Sequence, residues 1–201
     1  MEFGTTLSGS PEHAAPLLLG AHLVSEIGGG GQVRVRISEV EAYKGSDDPA
    51  SHAFRGRTRR NGSMFEQPGT LYVYRSYGIH WCANVAAGPE GVGWGILFRG
   101  GEVVDGLGVA RARRGRDDEL ANGPGKLAQA LGIDHSHNGS HLLERSSPLR
   151  LEAGPAPDLV MATPRVGISQ ARERPWRFVA VTAATAPVRG GDTPRLPSPR
   201  R

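Results

Sequence analysis

The stretch "QVRVRISEVEAY" at residues 32–43 alternates apolar and polar side chains with a period of two, the pattern of a half-buried β-strand. Val33, Val35 and Ile37 fall on one face, and Arg34, Arg36 and Ser38 on the other. Continuing the count puts Glu41 on the apolar side, where a carboxylate is costly unless it is partnered. Two readings follow. Either Glu41 is held in a pocket for chemistry, or the strand bends or bulges before Glu39 and leaves the side chain solvated.

Working outward, the "GGGG" run at 28–31 precedes a strand instead of joining a strand to a helix, so it marks a turn and not a dinucleotide fingerprint. "AAPLLLGAHLV" at 14–24 is too short to span a bilayer and is expected to be a core helix. Downstream, residues 44–69 are rich in Gly, Pro, Ser, Asp and Arg and show no periodicity, and a loop of that length in a compact domain suggests function. "TLYVYRSYG" and "IHWCANVAA" form a hairpin with Tyr77 and Gly78 at its tip. "GWGILFRGGEVV" is a further strand carrying Arg99, and residues 106–114 are a short basic helix. "NGPGKLAQALGID" is expected to start a helix with Asn122 as cap and to bury Leu127, Ala130 and Leu131. "PRVGIS" and "PWRFVAV" are expected to be two more strands. The mix defines an α+β class with a largely antiparallel sheet.

The 201 residues suit one domain. Residues 1–12 and 189–201 are expected to be disordered, the latter as a basic tail, leaving 13–188 as the folded domain. The single cysteine, Cys82, excludes an internal disulfide framework. A soluble cytoplasmic monomer, associated with the nucleoid through DNA, is expected, with no cofactor. The formal charge of +4 is carried almost wholly by arginine, the only lysines being Lys44 and Lys126. Arginine forks onto phosphate as lysine cannot, although a base composition favouring arginine codons also accounts for the bias. Charge therefore permits nucleic acid without requiring it.

Several chemistries can be set aside. His52, His80 and Cys82 lack the spacing of a zinc site, so no metal is expected. No serine sits in a Gly-x-Ser-x-Gly elbow. Lys126 fits a phosphate contact at a helix start better than a Schiff-base nucleophile. What survives is Glu41 as general base, Arg99 as its positive partner, and Tyr43, Tyr72, Tyr74 and Tyr77 beside a loop containing Arg57, Arg59 and Arg60. Aromatics interleaved with phosphate-binding arginines are what holding an unstacked nucleotide requires.

"EVEAYKGSDDPASHA", "GRTRRNGSMFEQPGTLYVYRSYGIHWCANV", "ILFRGGEV", "NGPGKLAQALGI" and "PRVGI" resemble, in order and spacing, the motifs of the alkyladenine (methylpurine) DNA glycosylase family, from about residue 12 to 182. The resemblance implies a single domain around a curved antiparallel sheet, with a protruding hairpin that intercalates into duplex DNA. It implies excision of alkylated or deaminated purines. Glu41 would activate a water held also by Arg99 and the backbone carbonyl of Val166. Tyr43 and Tyr74 would sandwich the flipped base, with His52 as a wall, and Asn84 would disfavour the exocyclic amine of guanine. Tyr77 would fill the gap left in the duplex. Lys44, Asn122, Arg75 and Ser76 depart from the family pattern and bear on substrate range. The rival reading is a non-catalytic module of the same fold that binds damaged DNA, against which the pocket carboxylate itself argues.

Overall fold

The computed structural model of the protein describes residues 3–181. Its strands are β1 (His22–Ser25), β2 (Val33–Lys44), β3 (Leu71–Ser76), β4 (His80–Ala87), β5 (Trp94–Asp105), β6 (Leu149–Glu152), β7 (Leu159–Thr163) and β8 (Arg177–Val181). They form one sheet in the order β3-β4-β5-β2-β1-β6, with β8 joined to both β2 and β7. All recorded pairings are antiparallel. Short helices α1 (Phe3–Leu7), α2 (Pro11–Ala14), α3 (Leu107–Arg114) and α4 (Pro124–Leu131) accompany the sheet, so the α+β class and largely antiparallel sheet expected from the sequence are observed.

The long strand β2 organises everything else. β1 pairs with its first part, residues 33–36, and β8 pairs with residues 39–41, while β5 runs along its whole length. The β2–β5 register shifts at Val104, at Ser38 and again at Arg99, so within this pairing β2 leaves one residue without a partner and β5 two. Such bulges re-aim the side chains that follow them. Before the bulge Val33, Val35 and Ile37 face the main core; after it Val40 and Ala42 do. Glu39, Glu41 and Tyr43 are thereby turned to the opposite face. The alternation that set Glu41 on the same side as Val33 does not survive Ser38. The bulge alternative was correct, but Glu41 is fully buried and not solvated.

One face of the sheet thus carries a continuous core that includes Val40, Ile96, Phe98, Val85 and Leu71. On the other, Tyr72, Asn84, Leu97 and Glu41 are successive cross-strand neighbours on β3, β4, β5 and β2. A second, smaller cluster of Ala53, Met64, Phe65 and Tyr72 lies under the long loop, with Tyr74 against it. Asn61 ties that loop together, accepting from the Thr58 amide at 2.6 Å and donating to the carbonyls of His52 and Gly56.

Four local expectations need correction. Residues 3–12 are not frayed, because Phe3 and Leu7, one helical turn apart, bury into the main core. Residues 14–24 are not one helix; Pro16 sits in a 3-10 turn over Ala15–Leu18, and His22–Ser25 is strand β1. The strand near "PRVGIS" is instead Leu159–Thr163, and the segment after it is a loop in which Gly167 takes φ 77°. Helix α4 begins at Pro124 with Gly123 as its cap residue and no side-chain capping bond; the Asn122 side chain instead accepts from Lys126 Nζ at 2.9 Å. Leu127, Ala130 and Leu131 are buried, as expected. The basic helix and the glycine turn also lie where the sequence placed them. The predicted basic tail, 189–201, lies outside the described residues.

Candidate active site

The face of the sheet that carries Glu41 opens into a cavity of about 530 Å³. Glu41 is at its floor, fully buried, and both carboxylate oxygens are engaged. Oε1 accepts from the Val166 amide at 2.8 Å and lies 3.5 Å from Arg99 Nε. Oε2 accepts from the Tyr43 hydroxyl at 2.8 Å. Burial penalises an unpartnered charge, and these donors offset that penalty for the anion. Arg99 Nε is also 2.8 Å from Glu39 Oε1, and Glu39 accepts in addition from Arg177. Arg99 is therefore fixed between two carboxylates.

The walls are aromatic. Tyr72 and Tyr74 stack at 5.6 Å between centroids and 22° between planes, and the His52 ring meets Tyr74 edge-on at 4.4 Å. His52 Nδ1 shares a hydrogen bond of 3.2 Å with the Tyr72 hydroxyl. Burial and the nearby Arg60 charge hold the His52 imidazole below its ordinary value of 6.5, so the ring is neutral at pH 7. Burial pushes the Tyr72 phenol up to about 12, and burial followed by the Glu41 charge and hydrogen bond raises Tyr43 further. Both remain protonated donors. Burial likewise raises the Cys82 thiol, which stays protonated and a poor nucleophile. Asn84 is buried and donates to the Tyr72 carbonyl at 3.2 Å, fixing its amide at the cavity wall.

The hairpin β3–β4 stands at the rim. Its tip, Tyr77-Gly78-Ile79, has Tyr77 at φ 49° and Gly78 at φ 69°, and the Ile79 amide donates to the Ser76 carbonyl at 2.9 Å. Consecutive left-handed residues match the twist of a hairpin, yet for tyrosine that conformation costs about 1 kcal/mol. Tyr77 is 87% exposed and Ile79 67%.

The structure brings Glu41, Tyr43, His52, Tyr74, Asn84, Arg99 and Val166 to one cavity, with Tyr77 and Arg60 at its edge. Arg57 and Arg59 are exposed on the neighbouring loop, outside the lining. Lys126 does not line the cavity; its ammonium lies 2.8 Å from Glu119 Oε2, which leaves it badly suited to attack a sugar. Lys44, one of the departures from the family pattern, pairs with Glu12 and lies over Trp94 at 5.4 Å. Sequence reasoning missed three residues, Glu39, Asp48 and Arg165. Glu39 was visible only as a second acid two residues before Glu41. Arg165 stood in "PRVG", in a segment expected to be a strand.

Among the described residues, no group of three or more His, Cys, Asp or Glu side chains could hold a metal ion, and no helix is long and apolar enough to cross a membrane. The cavity thus sets a buried carboxylate on its floor among aromatic faces and fixed amide and imidazole groups. The match of this fold to a known family identifies a DNA glycosylase, a hydrolase of N-glycosyl bonds. Residues 5–184 match the family described as Methylpurine-DNA glycosylase (MPG), and the chain belongs to it. The chain is similar to a protein of Rhodococcus jostii (strain RHA1), 51% identical over 176 residues, covering 84% of this chain and 76% of the relative. A Nocardia farcinica protein is 51% identical over 178 residues, with 84% and 82% covered. One from Mycobacterium tuberculosis (strain CDC 1551 / Oshkosh) is 48% identical over 176 residues, with 84% of each chain covered. All three carry the name "Putative 3-methyladenine DNA glycosylase".

Proposed function

We propose that the protein removes alkylated or deaminated purines, of the 3-methyladenine, 7-methylguanine, hypoxanthine and ethenoadenine class, from duplex DNA by hydrolysis, leaving an abasic site. The observation that carries this reading is the fully buried Glu41 on the cavity floor, held by a backbone amide, a phenol and an arginine. In this reading the damaged nucleotide rotates out of the stack and its base enters between Tyr43 and Tyr74, against His52. Glu41 takes a proton from a water as that water attacks the sugar carbon, and its charge stabilises the oxocarbenium-like sugar. Arg99 and the Val166 backbone help hold the water.

An alkylated purine with a positive charge is already a good leaving group, so placing the water and the anion supplies most of what the reaction needs. Neutral His52 offers one ring nitrogen to the base edge while the other is tied to Tyr72. Asn84 narrows the wall against a guanine amine. Tyr77 enters the stack as the nucleotide leaves it, and Arg57, Arg59, Arg60 and Lys126 contact phosphates. The protein works as a monomer.

Base release from duplexes carrying one defined lesion each tests this reading. Free methylpurine or hypoxanthine should appear with an intact abasic strand, cleaved only after base treatment. Strand scission without that treatment, or a covalent adduct after borohydride, would make Lys126 the nucleophile. Tight binding of every lesion with release of none would favour the damaged-DNA-binding module.

A further inference from the structure

Behind the cavity, Arg165 and Asp48 form an ion pair in which both side chains are fully shielded from solvent, a distinction no other ion pair recorded among the described residues shares. The contact is bidentate, at 2.5 Å and 2.8 Å. Arg165 also donates to the Ala42 carbonyl at 2.9 Å, between Glu41 and Tyr43 in the chain. Its guanidinium lies over the Tyr43 ring at 4.7 Å and over Trp176 at 5.3 Å. Its Nε finds no hydrogen-bond partner, so the group is held by the fork, the Ala42 carbonyl and the two rings. Asp48 in turn accepts from the amides of Lys44 and Ala50, fixing the turn that leads to His52. The residue after Arg165 is Val166, whose amide bonds Glu41.

Replacing a buried ion pair with packed apolar residues is often neutral or stabilising, so stability alone does not account for this one. Geometry does. A planar guanidinium fork fixes orientation as no apolar contact can, and here it joins the three segments that supply Tyr43, Val166 and His52. We propose that Arg165, clamped by Asp48, is a positioning residue for base excision. It backs the far face of Tyr43 and sets the Tyr43 hydroxyl and the Val166 amide on the two oxygens of Glu41. The inference rests on the hydrolytic role of Glu41 given above.

Arg165→Lys keeps the charge and loses the fork and the planar stack. Its single-turnover excision of a 3-methyladenine or hypoxanthine duplex, at saturating enzyme, should fall by about 10-fold or more, since small misplacements of reacting groups are expensive. Affinity for the lesion duplex should stay within about 2-fold, because the pair touches no DNA. Leu142→Ala, a core variant whose residue is fully buried and does not line the cavity, supplies a control for destabilisation alone. It should melt lower and excise at the wild-type rate at a temperature below both transitions. Combining Arg165→Lys with Tyr43→Phe should slow excision by clearly less than the product of the two single losses, since the part of the Arg165 effect that runs through the Tyr43 hydroxyl is already gone.

A wild-type rate for Arg165→Lys, an equal loss in Leu142→Ala, or a double variant whose loss is the product of the two singles would each overturn the proposal. If Arg165→Lys melts below the assay temperature, Asp48→Asn, which keeps the side-chain shape, is judged by the same criteria. Glu41→Gln separates the two layers. Full activity in that variant sinks the hydrolytic reading, whereas an inactive Glu41→Gln beside a fully active Arg165→Lys sinks only the positioning role.

Discussion

The floor of the cavity and the tip of the hairpin are opposites in nearly every physical respect. Glu41 is wholly buried and engaged at both oxygens, while Tyr77 is 87% exposed in a conformation that costs energy. The floor is organised before any ligand arrives, as electrostatic stabilisation of developing charge requires. The tip presents its aromatic side chain to solvent. Rate should therefore be decided at the floor, and access to the lesion at the tip, and the two should be separable by mutation.

With Glu41 left in place, the largest effect is expected at Arg99. Arg99→Gln removes the cation shared by Glu39 and Glu41, and single-turnover excision should fall by about 100-fold, the scale of losing one preorganised donor. The loss should be the same on paired and on single-stranded substrate. A loss confined to duplex would move Arg99 from the floor to the DNA-facing side of the comparison.

A smaller and selective effect is expected at the tip. Stacking by a wedge residue is worth about 1–3 kcal/mol, so Tyr77→Ser should slow excision from fully paired duplex by roughly 5- to 100-fold. A lesion in single-stranded or mispaired DNA, already easy to extrude, should be affected much less. Melting temperature should not fall, because the side chain is largely exposed and contributes little to the core. Equal losses on both substrates would place Tyr77 in the pocket wall instead.

The smallest effect lies between the two regions, at His52. Burial and then Arg60 depress its titration in the folded protein below 6.5, so the unfolded chain binds the proton more readily. The stability this contributes is present above the unfolded value and is lost as pH falls through that value toward the folded one. His52→Gln should therefore flatten the stability profile between about pH 7 and pH 5, by less than about 1 kcal/mol given the ring's exposure. Identical slopes for the two proteins would mean that the imidazole feels no burial.

The tip was far more legible in the sequence than the floor. "YRSYGIHW" places a tyrosine and a glycine between two β-rich runs, and both adopt the left-handed conformation a tight hairpin needs. The identity of the floor residue was legible too, but not its side of the sheet. Alternation set Glu41 beside Val33 and Ile37, and the bulge at Ser38, opposite Gly100 and Gly101, reversed it. A bulge is settled by two strands paired together, and its mark here, the Gly100-Gly101 pair, lies on β5 and not on the strand that carries Glu41. The Arg165–Asp48 pair was hidden for a similar reason, since its partners are 117 residues apart and each looks like an ordinary surface residue in its own segment. The N-terminal helix should have been seen, because Phe3 and Leu7 already showed helical spacing.

The most direct test of the account is Glu41→Gln, measured for lesion-duplex affinity and for single-turnover excision on the same substrate. Glutamine keeps the shape of the carboxylate and cannot take the proton, so excision should fall by about 2 to 4 orders of magnitude. Affinity should be retained or improved, since one negative charge near DNA is gone. Excision at the wild-type rate, with affinity unchanged, would contradict the claim that the buried carboxylate drives the chemistry.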